Sequence, residues 1–282
     1  MSDNRPLTGM TAFITGGSGA IGRYSAKWLL RDGAAVLLMA RHMEVLEKAR
    51  AELRGAVAGA RVELYAGDAR NAEHVKAALA QAYAVAGRLD IVVATVGGSV
   101  GYRPLLMCSE EDFRKDLEIN LLTTFIAVRY SVPMMTRGGA IVCISSTAAK
   151  MPFNGLVGYG TAKGGLENFV QGAAEELGAA GIRINAVRPG LMRANNNDRL
   201  MQEPIHGKFV EQMPLGRTGE PDDIAAAVRY LAGPESSWMT GQSFAVDGGH
   251  ELRRNPDLGF MMEQMYGAQA MAAVRSGKPP RG

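Results

Sequence analysis

Short apolar runs alternate with longer stretches of helical periodicity along most of the chain. Seven runs rich in Ile, Val, Leu and Ala predict β-strands, at 12–14, 36–39, 62–65, 89–96, 141–144, 182–187 and 243–246. Between them, apolar positions three to four residues apart predict helices, at 23–30, 42–53, 71 onwards, 113–128, 159 onwards and 221 onwards. The almost continuous apolar run at 89–96 is typical of a parallel strand covered on both faces. No linker interrupts the alternation, which favours a single α/β domain.

Two segments depart from this alternation. Residues 191–214 are polar and irregular, with three asparagines at 195–197, and predict a long loop that is a lid or is disordered. Residues 251–282 form a C-terminal extension to a domain at 1–250, and their aromatic and Met residues predict an apolar helix before a frayed tail at 279–280. In one interpretation this helix packs against the body or a neighbouring subunit. In the other it forms a flexible, Met-lined wall of a substrate pocket.

Composition narrows the possible functions. With 282 residues, 47% hydrophobic and 21% charged residues and a formal charge of +3, the chain has the composition of a soluble globular protein. Its basic residues do not cluster, which argues against nucleic-acid binding. The polar start and the lack of any run near ~18 apolar residues predict a cytoplasmic protein without signal segment or membrane span. Cys108 and Cys143 are expected to be reduced thiols, and the four histidines lack metal-ligand spacing.

A glycine-rich turn follows the first predicted strand. Residues 15–22 form this turn, and Gly17 to Gly22 fit the pattern G-x-G-x-x-G directly before a predicted helix. Strand, glycine turn and helix together are the context of a dinucleotide-binding site. Glycines let the backbone approach a pyrophosphate closely, and the N-terminus of the helix favours its negative charge. A tight turn with a purely structural role is the alternative.

Residues after the next two strands bear on the choice of nucleotide. Ala40 stands where NAD-binding folds usually carry an acid for the ribose hydroxyls, while the adjacent Arg41 suits a 2′-phosphate. The alternative for Arg41 is an exposed residue that opens a helix. Asp68 can cap the helix that starts near Asn71, accept a hydrogen bond from an adenine amine, or do both.

A later helix carries Tyr159 and Lys163. Residues four apart on a helix project from one face, and an ammonium near a phenol is expected to lower the pKa of the phenol from its usual value near ~10. The phenol could then donate a proton near neutral pH. Ser146 follows the strand at 141–144, at the carboxyl edge where open α/β sheets bind ligands. Tyr-x-x-x-Lys alone is frequent by chance and equally describes a solvated helix face.

The helix before the strand of Ser146 also carries a candidate residue. Its start at 109–112, Ser-Glu-Glu-Asp, predicts a capping box. Its apolar stripe consists of Phe113, Leu117, Leu121, Phe125 and Val128. Asn120 is expected on the same side, as either a satisfied core polar group or a catalytic one.

The order of these features resembles the short-chain dehydrogenase/reductase (SDR) family. The features that carry the resemblance are the glycine turn, Asn120, Ser146, Tyr159 and Lys163. The similarity runs from about Leu7 to Gly249 and includes closing segments at 217–221, 240–242 and 246–249. It extends to the 3-oxoacyl-carrier-protein reductase and hydroxysteroid dehydrogenase branches. The resemblance implies a doubly wound, Rossmann-like parallel sheet with helices on both faces, NAD(P) across its C-terminal edge, and a homo-oligomer, tetramer or dimer.

The resemblance also implies a role for each residue. Tyr159 would be the general acid or base on the carbonyl or alcohol oxygen, and Lys163 would depress its pKa and bind the nicotinamide ribose. Ser146 would hold the substrate oxygen, and Asn120 a water that continues the proton path. Hydride would pass between nicotinamide and the carbonyl carbon. The residues expected to bind the cofactor are Gly16, Ser18, Gly19, Ile21, Arg41, Asp68, Ala69, Gly97, Tyr159, Lys163 and Met192.

Three positions depart from the family pattern. Ala20 replaces a usual glycine of the turn, a mild change. Residues 94–97, Ala-Thr-Val-Gly, replace the usual Asn-Asn-Ala-Gly, whose amides brace the sheet and line the cofactor site, so bracing must come from elsewhere. Ala194 stands where a Thr often contacts the cofactor. These changes predict a lower cofactor affinity with an intact catalytic set.

The features together predict an NADP(H)-dependent alcohol dehydrogenase or ketone reductase that acts on a fairly apolar small molecule. One alternative is an enoyl-type double-bond reductase, although relatives of that kind generally space their Tyr and Lys differently. The other is a non-catalytic NADP(H)-binding regulator, which would not need Asn120, Ser146, Tyr159 and Lys163 together.

Overall fold

A seven-stranded parallel sheet forms the centre of the computed structural model, which describes residues 5–194 and 198–280. The strands are β1 (Thr11–Thr15), β2 (Ala35–Ala40), β3 (Val62–Ala66), β4 (Ile91–Ala94), β5 (Gly139–Ile144), β6 (Ile182–Pro189) and β7 (Ser243–Val246). They pair in the order β3-β2-β1-β4-β5-β6-β7. Each predicted strand is present, and the doubly wound Rossmann-like fold is confirmed. Because the order reverses between β1 and β4, a crevice for ligands is expected at their carboxyl ends.

Helices cover both faces of the sheet. They are α1 (Ala20–Arg31), α2 (Met43–Ala56), α3 (Ala72–Ala84), α4 (Glu110–Leu117), α5 (Thr123–Ser131), α6 (Val157–Leu177), α7 (Ile205–Glu211), α8 (Pro221–Ala232), α9 (Gly259–Tyr266) and α10 (Ala268–Arg275). Helices α1, α2 and α8 share one hydrophobic core with the sheet, and α3, α5 and α6 share the other. Neighbouring residues of β1 alternate between the two cores, since successive strand side chains point to opposite faces. No helix in the described ranges is long and apolar enough to span a membrane.

The predicted helix at 113–128 is broken by a π-helical turn at Glu118–Leu122. Its N-terminal cap forms half of the predicted capping box: the Ser109 hydroxyl accepts the Asp112 backbone N–H at 3.1 Å, but the Asp112 carboxylate accepts the Ser109 hydroxyl and not the Ser109 backbone N–H. The predicted stripe, however, is a core face only in part, with Val128 in the core and Leu121 packed against it. Phe125 is 39% exposed, whereas Asp116 and Asn120 are buried. The wider π turn rotates the following residues, and the buried side supplies polar groups to a neighbouring loop.

The predicted irregular loop at 191–214 contains two stretches of regular structure, so that prediction was wrong for those residues. A 3₁₀ turn spans Asp198–Met201 and α7 spans Ile205–Glu211, while 195–197 lie outside the described residues. Ile205 and Phe209, one turn apart, are both buried. The polar composition of the segment obscured this short amphipathic pattern.

The C-terminal extension packs against this same segment. Its single predicted helix is two helices, α9 and α10, which meet at Gly267 with a φ of +84°. A third hydrophobic core, here called the C-terminal cluster, contains Leu200, Ile205, Phe209, Met213, Leu258, Met261, Met262 and Met271. The methionines of the extension are thus buried in packing against the body, in agreement with the first interpretation of the extension.

Candidate active site

The glycine turn lies at the crevice between β1 and β4 and leaves little room for side chains. Gly16 has a φ of +67°, and a Cβ there would lie 2.6 Å from Thr95 Oγ1. A Cβ at Gly22 would lie 2.5 Å from the Gly16 carbonyl oxygen. Helix α1 begins at Ala20, and its N-cap residue Gly19 offers no side-chain cap. This tight backbone cradle at a helix N-terminus fits a pyrophosphate group.

A cavity of about 610 Å³ opens beside this turn. The predicted cofactor-binding residues that line it are Gly16, Ser18, Gly19, Ile21, Arg41, Asp68, Ala69 and Gly97. The remaining three, Tyr159, Lys163 and Met192, line a second cavity of about 220 Å³. The two cavities are adjacent because both are bordered by Ile21, Thr95, Gly97 and Ala194.

Asp68 and Arg70 form an ion pair on the wall of the larger cavity. The Arg70 guanidinium donates to both Asp68 carboxylate oxygens, at 3.1 and 2.6 Å, and this bonding lowers the pKa of Asp68, as does the more distant Arg41. The prediction that Asp68 caps α3 is wrong, because Asn71 holds that position and accepts the backbone N–H groups of Glu73 and His74. The sequence analysis also missed Arg70, although it stands only two residues after Asp68.

Thr95 supplies the bracing that the absent asparagines would give. Its hydroxyl donates to the Thr15 carbonyl at 2.7 Å, joining the ends of β4 and β1. A Thr at this position therefore connects the two strands that flank the crevice. The sequence analysis expected a replacement brace. Thr95 supplies it, and Thr95 belongs to segment 94–97, the segment that differs from the family pattern.

Three of the predicted catalytic residues meet where β5 ends and α6 begins. Ser146 follows β5, and its hydroxyl lies close enough to Tyr159 to influence the ionisation of the phenol. Lys163, one helical turn after Tyr159, is 2% exposed and lies with its Nζ 5.8 Å from the centre of the Tyr159 ring. Its Nζ donates to the Ile144 carbonyl at 2.7 Å. All three border the smaller cavity.

The pKa values of Tyr159 and Lys163 differ from the sequence-based expectation. Burial raises the pKa of Tyr159, the nearby Ser146 hydroxyl offsets this only in part, and the buried Asp116 raises it further. Burial also lowers the pKa of Lys163 to about 8. The net pKa of Tyr159 therefore lies above its usual value and not below it as the sequence predicted, because burial outweighs the groups that favour the phenolate. The Lys163 Nζ is directed to a carbonyl, and loss of water disfavours both charged forms.

Asn120 reaches the same site from the π-helical turn. Its Oδ1 accepts the Gly98 N–H at 2.8 Å, and its Nδ2 donates to the Gly98 and Asp116 carbonyls, both at 2.9 Å. A Cβ at Gly97 would lie 2.9 Å from both Asn120 Oδ1 and Lys163 Nζ. Asn120 thus clamps the loop after β4 against the Lys163 end of the site.

A buried ionic network supports the strand end beside Ser146. The Ser145 hydroxyl donates to Glu167 at 2.9 Å, and Glu167 lies 3.6 Å from Arg188. Arg188, only 5% exposed, also donates to both carboxylate oxygens of Glu251 at 2.7 and 3.0 Å. The network joins β5, α6, β6 and the segment after β7.

The smaller cavity is bordered by aromatic residues that the sequence analysis did not single out. Tyr102, Phe153, Phe209 and His250 all border it, together with Asn255 from the extension. Burial, together with the nearby Tyr159, raises the pKa of Tyr102 to about 12. The only sequence signal was the presence of aromatic residues in otherwise irregular segments. No group of three or more potential metal ligands occurs within residues 5–194 and 198–280.

Comparisons with known proteins agree with this arrangement. A family model described as enoyl-(acyl carrier protein) reductase matches residues 16–251. The 3-oxoacyl-[acyl-carrier-protein] reductase of Rickettsia felis is 33% identical over 245 residues, which cover 86% of this chain and 97% of that protein.

Solved structures of short-chain dehydrogenases/reductases also resemble this chain. A short-chain type dehydrogenase/reductase from Mycobacterium ulcerans superposes with a TM-score of 0.91 at 31% identity, covering 94% of this chain and 98% of that one. A 7α-hydroxysteroid dehydrogenase complexed with NADH and 7-oxo glycochenodeoxycholic acid has a TM-score of 0.83 at 29% identity, covering 88% and 97%. The chain therefore belongs to the short-chain dehydrogenase/reductase family, whose members are oxidoreductases that use nicotinamide cofactors.

Proposed function

We propose that this SDR transfers a hydride between NADP(H) and a ketone or secondary alcohol on a fairly apolar small molecule. The observation that carries the proposal is the pair Ser146 and Tyr159 bordering one cavity, with the Lys163 Nζ 5.8 Å from the centre of the phenol ring. The pair borders a cavity with apolar and aromatic walls, adjacent to the cavity that fits a dinucleotide.

The residues support this chemistry in a defined way. A bound nicotinamide cofactor would supply the hydride to the carbonyl carbon or accept it from the alcohol. Ser146 and Tyr159 would hold the substrate oxygen between their hydroxyls. Because burial raises its pKa, Tyr159 is protonated at neutral pH and can donate a proton as the carbonyl is reduced. Lys163, still largely cationic at neutral pH, would stabilise the phenolate that forms.

Oxidation of NADPH with a panel of substrates tests the proposal against its alternatives. The panel contains aliphatic and cyclic ketones and an α,β-unsaturated thioester. Turnover of ketones supports the proposal. Turnover of the unsaturated thioester alone would identify an enoyl-type reductase, and tight NADPH binding without any turnover would identify a regulator.

We expect the wild-type protein to bind NADPH at least about tenfold more tightly than NADH. Arg41 is exposed at the border of the larger cavity, where no acid occupies position 40. A charge-assisted hydrogen bond to a 2′-phosphate contributes about 1.5–3 kcal/mol, and ~1.4 kcal/mol is tenfold in affinity. Arg41→Ala should remove most of the difference. Ala40→Asp should shift the preference towards NADH by repelling the phosphate and accepting the ribose hydroxyls.

Titration of both cofactors, monitored by protein fluorescence, measures this preference. Arg50→Ala is the matched control, because Arg50 lies on α2 in an ion pair with Glu47 and does not border the cavity. Equal affinities in the wild-type protein, or tighter NADH, would show that Arg41 is only a solvated residue before α2.

A homo-oligomer is also part of the proposal. The outer side of α4 to α6 and the turn before α4 expose large apolar side chains, including Leu105 at 69%, Leu122 at 42% and Phe125 at 39%. Leu105 and Phe113 border a common surface groove, and Phe125 makes an edge contact with Phe169. An exposed apolar face of this kind is typical of a subunit interface, and we assign it to a second copy of the chain.

Light scattering after size exclusion tests this interface. Leu105→Glu combined with Phe125→Glu should lower the oligomer mass to that of a smaller assembly, because two charges would have to be buried without partners. Lys48→Glu, at an exposed position of α2 and so away from this face, is the control and should leave the mass unchanged. An unchanged mass in the double variant would place the subunit interface elsewhere.

A further inference from the structure

Four aromatic rings from separate parts of the chain form a continuous row along the smaller cavity. Tyr102 and Phe153 have ring centroids 6.0 Å apart, and Phe153 and Phe209 stack with an interplanar angle of 1° at 5.9 Å. His250 meets Phe209 edge-on at 5.9 Å. This aromatic row begins beside Tyr159, which acts electrostatically on Tyr102, and ends at His250.

His250 is unusual among these rings because it is polar and buried. It is 1% exposed, and neither ring nitrogen has a hydrogen-bond partner among the described residues. Burial lowers its pKa, although the Arg254 backbone, which does not reach hydrogen-bond geometry, and the carboxylates of Asp247 and Glu251 act in the opposite direction. The imidazole is therefore neutral at neutral pH and offers one donor and one acceptor nitrogen.

This arrangement has an energetic cost that a phenylalanine would avoid. A buried polar group without a partner destabilises a protein by about 1–3 kcal/mol. The other end of the aromatic row shows that phenyl rings pack well along this wall. A group inside the cavity that bonded either nitrogen would remove the cost, because the ring borders the cavity and is shielded from bulk water.

Asn255 adds a second polar side chain to the same end. Its Nδ2 donates to the Met151 and Pro152 carbonyls, at 3.3 and 3.0 Å, which ties the extension to the loop that carries Phe153. It borders the cavity together with His250. The cavity therefore has polar groups at both ends, Ser146 and Tyr159 at one and His250 and Asn255 at the other, with flat apolar rings between them.

We propose that this cavity selects a cyclic ketone or alcohol that carries a second hydroxyl or carbonyl group, which hydrogen-bonds His250. The proposal rests on the proposed function, since the first oxygen is the one that Tyr159 and Ser146 hold. The ring system of the substrate lies along the aromatic row. Binding turns the imidazole about its Cβ–Cγ bond so that one nitrogen meets the second oxygen.

Matched ketones with and without a second oxygen test this subsite. With NADPH present, kcat/KM is measured for α-tetralone and for its ring-hydroxylated isomers. For at least one isomer the wild-type protein should show about a tenfold preference over α-tetralone, as expected of one hydrogen bond to a buried group. His250→Phe keeps the edge-on contact with Phe209 and should remove that preference. His250→Gln keeps a donor and an acceptor and should restore part of it.

His206→Phe is the matched control, because His206 lies on α7 beside Glu203 and does not border the cavity. An equal loss for both ketones in His250→Phe would overturn the proposal, because it would mean that His250 only shapes the wall. If no tetralone is reduced by the wild-type protein, the proposed function fails for this substrate class. Calorimetric binding of the same compounds to wild type and His250→Phe then decides the subsite independently, since equal affinities would overturn it and a lost preference would support it.

Discussion

Replacing Tyr159 with Phe should reduce the turnover of a ketone roughly 10²–10⁴-fold, the range expected for loss of a general acid. The hydroxyl that donates the proton is removed, while the phenyl ring keeps its packing next to Lys163. NADPH affinity should stay close to that of the wild-type protein, because the larger cavity is unchanged. Steady-state kinetics and cofactor titration on the same preparations give both quantities. A variant that kept more than about a tenth of the wild-type rate would contradict the assigned role.

Tyr230→Phe is the matched control for this experiment, since Tyr230 lies on α8, is 41% exposed and bonds only Met239 among the described residues.

The pH profile of ketone reduction gives a second readout. Burial lowers the pKa of Lys163 to about 8, so its positive charge is present below that pH and is lost as the pH rises through it. Ketone reduction in the wild-type protein should therefore fall above about pH 8 as stabilisation of the phenolate disappears. A rate that rose with pH across this interval would contradict the role of Lys163.

Replacing Arg188 with Met should lower the free energy of unfolding by about 3 kcal/mol, the lower end of the range for breaking a buried ion pair. Arg188 is 5% exposed and lies between the carboxylates of Glu167 and Glu251, at 3.6 and 2.7 Å. Without the guanidinium, both carboxylates stay mostly buried and repel each other. Urea denaturation measures the loss, with both proteins compared at one concentration because the proposed assembly would also contribute.

The same substitution at the surface is the control for Arg188. Arg114 pairs with Glu110 at 3.2 Å, with both side chains largely exposed. Arg114→Met should change the free energy of unfolding by no more than about 0.5 kcal/mol. Similar small effects at both positions would show that the network around Arg188 contributes little beyond what a packed apolar side chain provides.

The sheet and the nucleotide cavity were predictable because their signals are local. An apolar run marks each strand, and the glycine turn directly follows β1, so Gly16 and Gly19 fall at the cavity wherever the sheet forms. The pair Tyr159 and Lys163 was predictable in position for the same reason. Their pKa values were not predictable. Both depend on how deeply the surrounding structure buries the two side chains, and the spacing of two residues carries no information about that burial.

The outward rotation of Phe125 and the aromatic row were not predictable for a different reason. In the π-helical turn at Glu118–Leu122, Asn120 hydrogen-bonds backbone groups of the loop after β4. Those backbone groups lose water, and so require a protein partner, only in the folded protein. The aromatic row combines a loop after β4, a loop after β5, α7 and the segment after β7. No periodicity in the sequence connects positions so far apart.

The C-terminal cluster has a consequence for local stability. It is much smaller than the two cores that flank the sheet, and it joins α7 to α9 and α10. A small core of this kind opens at a lower free energy than global unfolding, as a separate cooperative unit. Amide hydrogens of α7 and α9 should therefore exchange with solvent well before those of β1 and β4. The wall of the smaller cavity can then loosen while the strands beside the larger cavity stay closed, which under the proposed function would admit and release the substrate.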